Sequence, residues 1–467
     1  MKKSLVFAGI ILLALLSGGI YGVKEVLSQK NDVMVYCRTL EGDVKDAEGI
    51  RFWMHNNWAE QLYWDTLVII GGVEDGLVES ETVFRPDWKG STERPYRVYF
   101  PLLHREEGVE LHIEKGTSVH SRSGQGIALE DWSMPFVKVA IDVASRVSPG
   151  QSRTEVLKLS DYYEYYDMWM EVFSVRSQMW DEEDNFIPDF FGMEVPDSHE
   201  VEVTISKYED GTINAVDIRT ANDRGQSTIV SNSHMAKDGV YFSFHCVDES
   251  GKMVNMKTKV GNGIFFLPLE GTGEDDGSLK VLVSDMKKVY SLPSEDCFVM
   301  DVQMDELWEK LFILTWEAKQ VELRVVDAST MEERQIIRLT DATDMTALKQ
   351  MDQVEDGVWV LLTDGTFCYL TQGEDGNFQK QNTGSLGEGP RLDDHSERPL
   401  AYDLDYQDGK LAIVCEESYY GNSVYVYVFE GDTLLYKGYF LHSGDYEKNF
   451  TDQVYLNEET PLEIRFQ

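Results

Sequence analysis

Cationic side chains are in short supply in this chain: 42 Lys and Arg stand against 83 Asp and Glu over 467 residues, a formal charge of −41. Such a field repels phosphate backbones, and nucleic-acid binding draws most of its affinity from cationic contacts, so that class of function is disfavoured. Solubility is the ordinary reading of the acid excess; attraction of cations or basic partners is the functional one. Cysteine is scarce as well. The five residues (Cys37, Cys246, Cys297, Cys368 and Cys415) form an odd set without CxxC or metal-ligand spacing. Cys246, Cys368 and Cys415 lie in apolar, strand-like runs, where cysteine packs as a small hydrophobe.

The common catalytic signatures are missing too. There is no Gly-x-Ser-x-Gly elbow, no phosphate loop and no HExxH. His104, His112 and His120 are spaced eight apart, which in strands does not bring them to one metal. Paired carboxylates could serve glycoside hydrolysis, but among 83 acids some pair meets the required distance by chance. Asp403, Asp405 and Asp408 (DLDYQDG) imitate the start of a calcium loop, yet Val414 stands where an EF-hand needs its final carboxylate, and a solvated strand-turn is favoured. No catalytic residue, no metal site and no cofactor is therefore assigned.

One long apolar run is present. Leu5–Val23 holds 19 residues without a charge, and a helix of that length spans roughly 28 Å, close to a hydrocarbon core. Lys2 and Lys3 precede it, which places the amino terminus in the cytoplasm and the remainder outside. Gly19 occupies the place of a lipobox cysteine, which argues against a lipoprotein. The run exceeds the ~7 to 15 residues of a signal h-region, which favours an uncleaved signal anchor in residues 1–30; secretion after cleavage near Gly19 is the alternative.

Beyond that run, helical spacing sustained over three turns is almost missing, and short alternating runs broken by turn dipeptides predict an all-β body over residues 31–467. Asp-Gly occurs eight times, and Asp tolerates while Gly freely accepts the positive φ of tight hairpin turns. Lys-Asp-Gly-Val-Tyr-Phe-Ser-Phe, Glu-Asp-Gly-Val-Trp-Val-Leu-Leu and Gln-Asp-Gly-Lys-Leu-Ala-Ile-Val open the same unit at positions 238, 356 and 408, with a degenerate copy from Asp305 and a last half-unit from Asn457. A period near 50 residues with about four strands per unit is the signature of propeller blades, here six to eight of them after one transmembrane helix. Asp452 to Phe466 is expected to complete a blade near Leu62 to Gly71. Val137 to Val143 and Thr154 to Leu159 are expected to form a hairpin. The stretch 181–198, with Pro188, Pro196 and an acid run, is the best internal boundary.

These units, with Ala140 to Asp167 (AIDVASRVSPGQSRTEVLKLSDYYEYYD), resemble uncharacterised bacterial surface proteins with an amino-terminal membrane segment and a propeller-like body. The resemblance implies fold and location and carries no activity. The most unusual local composition is Asp161 to Trp169 (DYYEYYDMW). Tyr162, Tyr163, Tyr165, Tyr166 and Trp169 are candidate ligand-binding residues, because large amphipathic rings suit sugars and peptides; filling of an inter-blade core is the ordinary reading. The sequence thus reads as a membrane-tethered, extracytoplasmic binding or scaffolding module for a protein, peptide or glycan. A glycan- or peptide-processing enzyme using acids on the propeller face is the alternative.

Overall fold

A computed structural model describes residues 17–18, 35–58, 62–71, 75–85, 97–99, 109–114, 117–119, 137–139, 146–161, 164–165, 171–173, 178–180, 186–194, 200–220, 227–248, 258–271, 279–281, 283–305, 307–342, 347–354, 357–387, 402–417, 423–442, 455–456 and 462–467. The chain is all-β, built mainly from antiparallel sheets, most of which join strands consecutive in sequence. It divides into two compact units, one made of residues 1–92 with 347–467 and the other of 93–346. The boundary stretch expected at 181–198 falls inside the second unit, where Phe186–Phe191 forms a short helix. Apart from Ser17 and Gly18, the apolar run Leu5–Val23 lies outside the described residues, and among the described residues no helix is long and apolar enough to cross a membrane.

In the first unit, Leu348–Val354, Gly357–Leu362, Thr366–Gln372 and Phe378–Ser385 form one four-stranded sheet in sequence order. Tyr402–Gln407, Lys410–Glu416, Ser423–Glu430 and Thr433–His442 form the next. The expected Asp-Gly punctuation is real, with its place shifted. Asp408 (φ 52°) and Gly409 (φ 85°) make the tight turn between the first and second strands of a sheet, so each repeat begins one strand before its Asp-Gly.

The second strand of each of these two sheets is an almost unbroken apolar run because both of its faces are covered. In Lys410–Glu416, Ala412 and Val414 pack toward Phe52, Val68, Leu462 and Ile464, while Leu411, Ile413 and Cys415 pack toward Trp359, Phe367 and Tyr369. Alternation puts odd and even residues on opposite faces, so a strand sandwiched between two sheets is apolar at every position.

The two ends of the chain interlock within this unit. Val35–Gly42 adds to the outer strand of the 402–442 sheet, with Cys37 opposite Phe440. Reciprocally, Tyr455–Leu456 and Leu462–Arg465 pair with Arg51–Trp58, placing Phe52 opposite Ile464 and Met54 opposite Leu462. The sheet completed from the carboxyl terminus is the expected one. The pairing partner, however, is the strand before Leu62–Ile69, which itself lies between Arg51–Trp58 and Glu79–Arg85.

In the second unit, Ser227–Ala236, Gly239–Asp248 and Gly263–Gly271, with Leu279–Val281 and Lys287–Ser291, make one sheet. Phe298–Asp305, Lys310–Glu317, Gln320–Asp327 and Glu333–Asp341 make another. They share a core that includes Tyr241, Ile264, Phe266, Val302, Leu311 and Ile313. The hairpin expected from Val137 and Thr154 does not form. The turn at Ser148–Gln151 is present, closed by the Gln151 N–H to Ser148 O at 3.1 Å with Gly150 at φ 76°. The strand after it, Ser152–Lys158, pairs instead with Glu200–Lys207, and Val137–Val139 pairs in parallel with Val109–Glu114. Local turn chemistry sets a reversal and leaves the pairing partner open.

Candidate functional site

The first strand of each sequential sheet differs from the second. In the first unit, Leu348–Val354 and Tyr402–Gln407 mix polar residues with apolar ones and keep most positions partly open, whereas Gly357–Leu362 is buried throughout. The closing strand Leu462–Arg465 follows the same rule, with Leu462 and Ile464 buried and Glu463 and Arg465 partly exposed. These three strands supply the candidate site.

Tyr402 and Leu404 face the 348–385 sheet, and Asp403 and Asp405 face the closing strand, as alternation along the strand requires. The Asp403 carboxylate accepts from the Ile464 N–H at 2.8 Å and from Arg465 Nη1 at 2.8 Å; Asp405 accepts from the Phe466 N–H at 2.7 Å. The carboxylates that imitate a calcium loop in the sequence thus anchor the carboxyl-terminal strand. Burial pushes the Asp403 carboxyl above the ordinary range, against the opposing pull of the Ile464 amide and the Arg465 guanidinium.

On the other face, the Tyr402 hydroxyl donates to Asp352, and the Gln350 side chain bonds the same carboxyl. Burial raises Asp352 despite these bonds, and it raises the Tyr402 hydroxyl well above the usual tyrosine value, with the Asp352 charge adding to the effect. Both residues nevertheless keep part of their surface open to solvent. Perturbed acids that keep some access to solvent mark a site to consider. Trp359 stands directly across from Asp352, its ring 5.8 Å from Tyr402 and 4.9 Å from Phe367.

A third polar group closes the opposite side of the terminal strand. His55 is buried between Asp65, 2.7 Å from Nδ1, and Glu463, 3.3 Å from Nε2. Asp65 orients the ring and Glu463 brings the closing strand to it. Nothing in the sequence pointed to this bridge, because its members lie in three separate strands and only the terminal pairing assembles them.

The tyrosine-rich stretch singled out in the sequence is described at one of its five candidates. Tyr162, Tyr163, Tyr166 and Trp169 lie outside the described residues. Tyr165 is half-buried, forms an antiparallel bridge with Glu194, and donates its hydroxyl to Glu164 at 2.6 Å, a bond that raises the hydroxyl's pKa. The Lys259 ammonium sits 4.1 Å from the centre of its ring, so that face is occupied by a cation from within the chain. Among the described residues, no group of three or more His, Cys, Asp or Glu side chains is arranged to hold a metal ion.

No protein-family model matches the chain, and no curated protein sequence matches it. Among solved structures, it is similar to a protein from Lactobacillus plantarum, 9% identical, with a TM-score of 0.28 over 90% of this chain and 98% of that one. It is also similar to apo AztD from Citrobacter koseri, 8% identical, with a TM-score of 0.27 over 93% and 98% of the two chains. The periplasmic gluconolactonase PpgL of Pseudomonas aeruginosa is 11% identical, with a TM-score of 0.24 over 61% of this chain and 82% of that one.

Proposed function

We propose that this protein is a non-catalytic binding or scaffolding module on the outer side of a membrane, held there by residues 5–23. Its body is of the β-propeller type, with about six to eight four-stranded blades. Sequential four-stranded sheets and a sheet completed from both chain ends support that architecture. The observation that carries the binding reading is the contrast between strands: buried second strands make a rigid scaffold, and polar, part-open first strands give it an edge for a partner. Sites built on strands hold their geometry better than sites on loops.

The enzyme alternative needs two acids converging on one bond. The two acids of the first unit that burial raises, Asp352 and Asp403, lie on opposite sides of the strand Tyr402–Gln407, and each is already bonded within the fold. That arrangement supports the binder. The test applies the purified full chain, in detergent, to glycan and peptide arrays and then incubates it with whatever binds. Saturable binding without turnover is expected; product release that disappears in Asp352→Asn or Asp403→Asn would establish the enzyme instead. Amino-terminal sequencing of the membrane fraction tests the tether, and a mature start near Ile20 would overturn it.

A further inference from the structure

The seam where Tyr402 meets the 348–385 sheet holds two polar atoms whose partners the fold does not supply. Trp359 is fully buried, and its indole N–H has no hydrogen-bond partner among the described residues; nor does Gln350 Oε1, also shut off from solvent. Both residues share a strand face with Asp352, since Asp352 pairs directly with Trp359 and Gln350 lies two residues before it. A buried polar group left without a partner costs about 1–3 kcal/mol, so a fold that keeps two of them on one strand face retains a cost that a ligand can remove.

We infer that this seam is a binding site for a neutral, hydroxyl-bearing ligand, a sugar ring of a glycan, held by the Trp359 indole N–H, Gln350 Oε1 and the Asp352–Tyr402 pair. The inference rests on the binding reading above and names the ligand class. A hydroxyl group accepts and donates at once, which matches one unpartnered donor and one unpartnered acceptor on the same strand face. An anion is disfavoured by Asp352 and by the charge of −41. A cation is disfavoured because the Asp352 carboxyl already receives Tyr402 and Gln350, and burial favours its uncharged form. The Tyr402 ring, part-open and tilted over Trp359, offers an apolar face to a sugar.

Calorimetric titration of the full chain in detergent with two neutral oligosaccharides, cellohexaose and chitohexaose, tests this, with oligolysine as the cationic control. One neutral sugar is expected to bind saturably, and Trp359→Phe and Gln350→Met each to weaken it by about three- to tenfold, the worth of one hydrogen bond. In protein labelled with fluorotryptophan, the fluorine resonance lost in Trp359→Phe should shift as the sugar is added; this readout also serves if a variant folds poorly. Sugar binding that both variants leave unchanged, with no shift of that resonance, means the seam holds a resident water only and overturns the site while the binding-module reading stands. Binding of oligolysine alone overturns the ligand class. No binding to any array member overturns both.

Discussion

Acid should weaken the second unit through one histidine. His245, on Gly239–Asp248, is 5% exposed; its Nε2 accepts the Val299 N–H at 2.9 Å, and its ring lies 4.5 Å from that of Phe298. The acceptor role requires the neutral ring. Burial lowers its pKa from 6.5 to about 3. Above the ordinary imidazole range both folded and unfolded chains carry His245 neutral, and its contribution is fully present. As the pH falls below 6.5 the unfolded chain takes up a proton that the folded chain refuses, so stability drains away until the folded pKa near 3 is reached. At about 1.36 kcal/mol per unit the ceiling is roughly 5 kcal/mol, and about 2 kcal/mol is already lost at pH 5. The acid excess titrates over the same range, so the measurement is a difference. Urea unfolding of wild type and His245→Gln, followed by fluorescence at pH 8 and pH 5, cancels the carboxylates common to both. Glutamine keeps an acceptor for Val299 and cannot titrate. The stability advantage of wild type over His245→Gln should shrink by about 2 kcal/mol between the two pH values. An advantage that stays constant would refute the buried neutral histidine.

Ending the chain at Thr451 removes the two carboxyl-terminal strands that pair with Arg51–Trp58 and uncovers Phe52 and Met54; the first unit should lose its cooperative melting transition, and an unchanged melt would show that the terminal strand is dispensable. Gly42→Ala places a methyl group at φ 80° and 1.9 Å from Leu435 O, where Asp43 N–H also bonds, so urea unfolding should show a loss of about 1–3 kcal/mol. Cys37, Cys297, Cys368 and Cys415 are buried, and burial pushes the Cys297 and Cys368 thiols up to about 12. Ellman's reagent followed by peptide mapping should find these four unlabelled in native protein and labelled after denaturation.

Much of the architecture was legible because its signals are local. Alternation, continuous apolar runs and positive-φ dipeptides depend on neighbours in sequence, and they located the turn at Asp408 and the apolar strand after it, Lys410–Glu416. The same locality misled at Ser148–Gln151, where a genuine turn suggested a hairpin whose second strand pairs elsewhere. It also misplaced the start of each repeat by one strand, since Asp-Gly marks a turn and a turn alone does not say which strand opens a sheet.

The site followed the opposite rule. Composition drew attention to aromatic rings between Asp161 and Trp169, and at Tyr165 the ring face is taken by Lys259. The candidate seam brings together Gln350, Asp352, Trp359 and Tyr402, ordinary residues on three strands, the last of them about 50 positions beyond the first. By itself the sequence determined the acidic balance, the β class, the turns and the apolar run at its start, because each depends on residue chemistry or on spacing of a few residues. Only the tertiary structure decided that Asp403 and Asp405 fasten the last strand, that His55 bridges Asp65 to Glu463, and that Asp352 and Asp403 face apart. Those outcomes depend on which sheets pack together and in what register, and burial between them, not residue type, sets what each carboxyl does.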